Sequence, residues 1–228
     1  VERLHQARQE EHRVSEDTNG RWSGFFLTLE GPEGCGKSTQ AELLAEHFRR
    51  SGLLTVVTRE PGGTVLGDKL RALLLDPAHG EMTPRTELLL YEAARAQHVE
   101  QVIRPALERG ALVVCDRFMD SSSVYQGNGL GLYGESVALL NRFAVADVTP
   151  DLTVVLDLPA ADGLRRANAT GSPDRIEQRP AAFHERVRKG FLALARAEPA
   201  RVVVVSATDR REQVCCDIIR MVTDRWRQ

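Results

Sequence analysis

No apolar run in this chain approaches the ~18 residues needed to cross a bilayer, so nothing in it reads as a membrane span. The first residues are charged and lack an apolar stretch, so no secretion signal is expected. Net charge is only −2, from 30 basic and 32 acidic side chains, which leaves no global field to gather nucleic acid or an anionic membrane. Arginine far outnumbers lysine but is scattered, a pattern better suited to small phosphates than to a long polyanion. The four cysteines, Cys35, Cys115, Cys215 and Cys216, form no C-x-x-C pair and have no metal-ligand spacing with histidine. Reduced thiols in a cytoplasmic setting are expected. There is no internal repeat, and the 228 residues suit one α/β domain. Residues 1–21 are polar and charged. They read as an extension, helical or disordered, preceding a domain at 22–228.

What is present is local and specific. Gly31-Pro32-Glu33-Gly34-Cys35-Gly36-Lys37-Ser38 follows the G-x-x-x-x-G-K-[ST] pattern of a phosphate-binding loop. Phe25–Leu29 before it reads as a buried strand. Thr39 to Arg50 after it has a helical period, with Ala41, Leu44, Ala45 and Phe48 on one face. Strand, loop and helix in this order let backbone N–H groups and a helix N-terminus surround a polyphosphate. Gly31 through Thr39 are therefore expected to hold a nucleoside triphosphate, with Lys37 on the β/γ-phosphates and Ser38 on Mg²⁺. Cys35, inside the loop, is either a small residue that fits or an oxidation-sensitive thiol.

Further strands are expected at Leu53–Thr58, Ala111–Cys115, Leu152–Leu158 and Val202–Ser206. Helices are expected at Leu66–Leu75, Glu135–Ala146, Ala160–Ala169, Ala181–Ala197 and Arg211–Arg225. A longer one should start at Thr83-Pro84, a capping hydroxyl followed by proline at the first helical position, and run to Arg109 with a disturbance at Pro105. Five strands alternating with helices indicate a doubly wound sheet of five parallel strands flanked by helices, of the P-loop NTPase type. Ligands bind such sheets beyond the carboxyl ends of the strands.

Polar clusters follow those strand ends. Asp116 ends an apolar strand, either as an Mg²⁺-associated carboxylate or as a cap for the next turn, and Arg117 adjoins it. Arg59 and Glu60 form either an internal ion pair or a substrate contact, and Pro61-Gly62-Gly63 marks a tight loop where backbone approaches something closely. Tyr91 and Arg95 lie four apart on one helix face, placed either to clasp a flat heterocycle or to fill the core. Ser121, Ser122, Tyr125 and Gln126 offer donors and acceptors, or form a polar loop. Residues 166–178, with Gly171 and Pro173, read as a lid or as a solvated loop. No general-base motif is visible. A phosphate monoester is already largely dianionic at neutral pH, so a phosphate acceptor needs alignment and charge neutralisation, not a base.

Taken in order, the segments T-R-E-P-G-G-T (Thr58–Thr64), L-x-x-A-A-R (Leu90–Arg95), D-R-F-x-D-S-S-x-x-Y-Q-G (Asp116–Gly127), P-D-L-T-x-x-L-D (Pro150–Asp157) and D-R-I-E (Asp174–Glu177) resemble bacterial thymidylate kinases from about Phe25 onward. The resemblance implies phosphoryl transfer from ATP to dTMP with Mg²⁺, and a cytoplasmic homodimer. It implies Tyr91 stacking on thymine, Arg95 on thymine O4, and Ser122 and Gln126 reading the base edge. It places Arg71 and Arg117 near the dTMP phosphate and base pocket, and Tyr125 against the sugar. Glu33 would lie at the sugar hydroxyl or the transferred phosphate, and Glu60 in the pocket. Gly34 stands where some relatives carry arginine. The lid should then supply charge, and Asn168 and Thr170 occupy lid places that are often arginine, which leaves Arg166 or Arg175 to act on the transferring group. A kinase for another nucleoside monophosphate or a nucleoside, and an ATP-binding switch, are the competing readings.

Overall fold

The computed structural model describes residues 23–169 and 172–226. The extension at 1–21 and the Thr170-Gly171 break lie outside the described residues. Strand β1 (Phe25–Glu30) sits at the centre of the sheet and is buried along its whole length. Around it the order is β2 (Thr55–Arg59), β3 (Leu112–Asp116), β1, β4 (Leu152–Asp157), β5 (Val202–Ser206), with every pairing parallel. Because β1 has β3 on one side and β4 on the other, the crossovers diverge at its carboxyl end and open a crevice there.

Helix α1 (Lys37–Arg50) and the last helix, Arg211–Trp226, cover one face of the sheet. Leu27, Leu29, Leu44, Phe48, Val154 and Ile218 form the core between them. Helices α2 (Val65–Leu75) and α3 (Pro84–His98) follow β2. From α3 the chain continues through a π-helical turn, Val99–Ile103, into α4 (Arg104–Glu108). The expected disturbance is therefore real, but it precedes Pro105. A proline cannot donate to the carbonyl four residues back, so the preceding turn widens. Val99, Ile103 and Leu107 pack with Phe26, Val113 and Phe118 on the second face of the sheet. Thr83 caps α3 by accepting from the Thr86 N–H, as its sequence leads one to expect.

The segment after β3 departs from a simple loop. Met119–Ser122 is helical (α5) and Ser123–Gly129 continues as a π-helix, so Ser121, Ser122, Tyr125 and Gln126 project from one rigid rod. Helices α6 (Gly134–Val145), α7 (Ala160–Asn168), α8 (Ala181–Ala197) and α9 (Arg211–Trp226) complete the described chain. A polar row crosses the second sheet face. Thr28 and Thr153 share a hydrogen bond of 2.7 Å, Thr153 donates to Asp120, and Arg201 donates to both Asp120 oxygens. That row fixes the amino end of α5 to the sheet.

Candidate active site

Three glycines shape the loop after β1. Gly31, Gly34 and Gly36 have φ of 133°, 66° and 94°, a region that side chains disfavour. Gly36 stands at the N-cap of α1, so the first helical N–H groups face the loop interior. The Lys37 ammonium folds back and donates to Pro32 O at 2.8 Å and Gly31 O at 3.3 Å. Ser38 Oγ donates to Asp116 Oδ2 at 2.5 Å, and the N-cap of the helix that follows is Phe118, with no side-chain cap bond. Burial pushes the Cys35 thiol up against the pull of Lys37, and Cys35 is only 4% exposed, which favours a small residue that fits over a reactive thiol.

Arg117 has φ of 70°, a sharp turn that swings it back over the loop. Its Nη1 donates to Gly31 O at 3.1 Å and its Nη2 to Glu33 Oε1 at 3.1 Å. The guanidinium lies over the Tyr125 ring at 4.9 Å, and Tyr125 Oη donates to Glu33 Oε2 at 2.6 Å. Burial opposes ionisation of Glu33, but Arg117, Lys37 and the Tyr125 hydroxyl outweigh it and hold the carboxyl below its usual range. Beneath this trio Glu30 accepts from Phe118 N, Ser121 N and Ser121 Oγ. Burial and the nearby Asp120 raise its pKa to about 7.

A cavity of about 250 Å³ opens between these groups. Glu33, Gly34, Lys37, Ser38, Asp116 and Arg117 line it, together with Glu60, Arg71, Tyr91, Ser122, Tyr125 and Gln126. Arg71 is held toward it by donating to Pro61 O at 3.1 Å. The Glu60–Pro61 peptide is cis. A Cβ on Gly63 would come within 2.7 Å of both His98 Nε2 and Thr58 Oγ1, which is the close backbone approach the Pro-Gly-Gly run suggests.

Two expected ligands are placed elsewhere. Arg95 is 1% exposed and lies behind the cavity wall, not in it. It donates to Glu60, Glu92, Ser122, Asn141 and Phe118 O, so its guanidinium is occupied as an organiser of the wall. Tyr91 lies one turn before it on the same helix and lines the cavity. Arg175 is likewise an anchor and not a free lid cation. It donates to Leu74 O at 2.7 Å and pairs with Glu87 at 2.7 Å. Arg166 is exposed and donates to Ala207 O at 3.4 Å. It lines a neighbouring pocket with Gly34, Cys35, Gly36, Thr39 and Asp209. Glu60 forms the internal pair, with Arg95 and His98, and its side chain also lines the cavity. Arg59 lines the cavity too and lies 3.9 Å from Asp68.

Sequence reasoning missed Glu87, Glu92 and His98, all buried on α3. A signal was present: Glu87, Tyr91, Arg95 and His98 recur at helical spacing on one face of α3. Among the described residues no group of three or more His, Cys, Asp or Glu could hold a metal ion alone. The hydroxyl and carboxylate of Ser38 and Asp116 fit Mg²⁺, which takes few protein oxygens and completes its shell with phosphate and water.

Residues 29–218 match the family model described as thymidylate kinase. The thymidylate kinase of Exiguobacterium sp. is 50% identical over 206 residues, 90% of this chain and 97% of that one. That of Pseudomonas putida is 54% identical over 196 residues, 86% of this chain and 93% of that one. Among solved structures, a thymidylate kinase from Ehrlichia chaffeensis superimposes with a TM-score of 0.72 at 32% identity, covering 87% of this chain and 98% of that one.

Proposed function

The chain belongs to the thymidylate kinase family, and from that premise we propose how its cavity serves the ATP-dependent phosphorylation of dTMP to dTDP. The observation that carries the reading is a single cavity lined both by the phosphate-binding loop and by Tyr91, Ser122, Gln126 and Arg71. The loop N–H groups and Lys37 hold the triphosphate, and Tyr91 packs on the acceptor's base. Arg117 neutralises charge between donor and acceptor. Tyr125 bears on the sugar, and Glu33 accepts from the acceptor nucleotide's hydroxyl. A phosphate oxygen of dTMP attacks the γ-phosphorus, the bond from that phosphorus to the bridging oxygen breaks, and ADP leaves. No proton has to be removed from the acceptor, because its phosphate is already largely dianionic. Mg²⁺ at Ser38 and Asp116 would offset charge on the phosphates. Arg166 is the basic side chain on α7 best placed to approach the donor.

Helices α2, α3 and α6 pack together and expose Leu66, Leu73, Leu89, Leu139 and Phe143, the last at 84%. An apolar surface of this kind supports a homodimer in solution. No helix among the described residues is long and apolar enough to cross a membrane, and the four free thiols suit a cytoplasmic enzyme.

ADP release measured with dTMP, dUMP, CMP, AMP and thymidine tests the assignment. Preference for dTMP is expected. Preference for thymidine would overturn the argument from the phosphate acceptor, and no release with any of them would remove the enzyme reading.

A further inference from the structure

Glu87 stands in the first turn of α3 and is 1% exposed. One of its oxygens, Oε2, accepts from Arg175 at 2.7 Å and Arg179 at 2.5 Å. The other, Oε1, accepts from Gln126 Nε2 at 2.8 Å. Gln126 is itself 2% exposed and lines the acceptor side of the cavity. We propose that Glu87 is a specificity-determining positioning residue. It locks the Gln126 amide so that the carbonyl oxygen, and not the NH₂, is offered to the base.

The logic is one of donors and acceptors. A carboxylate engaged by two guanidinium groups has no proton to give, so it can only accept. A side-chain amide has one donating and one accepting end, and only the donating end can face Glu87. Turning the amide over would set Gln126 Oε1 against Glu87 Oε1 at hydrogen-bond distance, two acceptors with nothing between them. The lock is stiff because Arg175 is tied to the end of α2 through Leu74 O and Leu75 O. Gln126 also sits on the π-helical rod, not on a loose loop. An oxygen held in this way accepts from a ring N3–H, which thymine has. Cytosine presents an acceptor at the same ring position, and the two lone pairs repel.

This rests on reading the cavity as the dTMP site. The test is kcat/KM for dTMP and dCMP, with KM for ATP as a control, in four proteins: wild type, Glu87→Gln, Gln126→Leu, and the exchange of Glu87→Gln with Gln126→Glu. In Glu87→Gln the residue at 87 can donate, the amide is free to turn, and the dTMP:dCMP ratio should fall at least about tenfold while KM for ATP holds. The exchange restores a donor–acceptor pair and an acceptor toward the base, so it should regain part of the ratio. A merely structural role for Glu87 predicts no such recovery. A folded Glu87→Gln with a ratio within about twofold of wild type overturns the lock. If Glu87→Gln does not fold by its melting curve, the exchange decides: a ratio within about threefold of wild type supports the lock, and one as low as that of Gln126→Leu overturns it. A wild type that ignores dTMP sinks the acceptor reading itself, and this one with it.

Discussion

Replacing Arg95 with methionine separates a wall organiser from a base ligand. Arg95 is 1% exposed and donates to two carboxylates, Glu60 and Glu92, and to Ser122, Asn141 and Phe118 O. Methionine fills much of the volume but leaves both carboxylates short of their cation. Glu60 keeps only His98, at 3.0 Å. Breaking a buried pair by removing one partner costs about 3–5 kcal/mol, because a charge stays buried without compensation. For a chain of this size each kcal/mol is about 2–4 °C in Tm, so a fall on the order of 10 °C is expected. The assay is thermal unfolding followed by circular dichroism near neutral pH, with steady-state KM for dTMP and ATP measured well below the new Tm. Adding Glu60→Gln and Glu92→Gln should recover much of the loss, since neutral amides need no cation. A single variant within ~2 °C of wild type, with a raised KM for dTMP alone, would show that Arg95 spends its charge on the base and not on the wall.

Three further outcomes follow from named groups. Glu30 has a folded pKa of about 7 against an ordinary 4.5, so folding favours its protonated form. Its contribution is full below pH ~4.5 and declines by about 3 kcal/mol as pH rises to ~7. Glu30→Gln, which can still accept from Phe118 N and Ser121 N, should flatten that slope in pH-dependent melting; an unchanged slope would clear Glu30 of the effect. Asp116→Asn and Ser38→Ala should each raise the Mg²⁺ concentration for half-maximal rate by roughly 10–100-fold, and an unaltered Mg²⁺ titration would remove both from the metal. In native protein a chromogenic disulfide reagent should meet one fast thiol, the exposed Cys216, because burial covers Cys35 and Cys115 and lifts the Cys215 thiol to about 11. Two or more fast equivalents would contradict that burial.

The elements with a clean period are legible in the sequence. Ala181–Ala197 and Val202–Ser206 run as read, and α3 begins at the Thr83-Pro84 signal. The rod Met119–Gly129 was not legible as helix, because Ser-Ser-Ser and Gly-Asn-Gly carry turn chemistry. It is held helical by tertiary bonds, from Ser121 N and Oγ to Glu30 and from Asn141 to Met119 O and Ser123. In the site, residues on the phosphate loop could be placed because their geometry is local. Arg95 and Arg175 could not, because whether an arginine on the right face reaches a cavity or stops behind it depends on partners distant in the chain. Glu60 lies 35 residues from Arg95, and Leu74 lies 101 residues from Arg175.

Gly34 shows how one residue serves both the loop and the neighbouring helix. A Cβ on Gly34 would stand 2.0 Å from Gly163 O, and one on Gly163 would stand 2.2 Å from Glu33 O. Neither position can carry a side chain while the first turn of α7 rests on the loop, so an arginine at 34 would have to lift that helix. With glycine at both positions the two backbones meet, and the same seating brings Arg166 beside the pocket lined by Gly34, Gly36 and Thr39. The missing side chain in the loop and the basic residue on the helix are thus one arrangement. The contact that excludes charge at position 34 is the contact that seats α7 on the phosphate-binding loop. It also clamps Glu33 from two directions, its carbonyl under Gly163 and its carboxylate between Arg117 and Tyr125. Movement of α7 on the loop would therefore be felt first at Glu33, where the loop meets Arg117 and Tyr125.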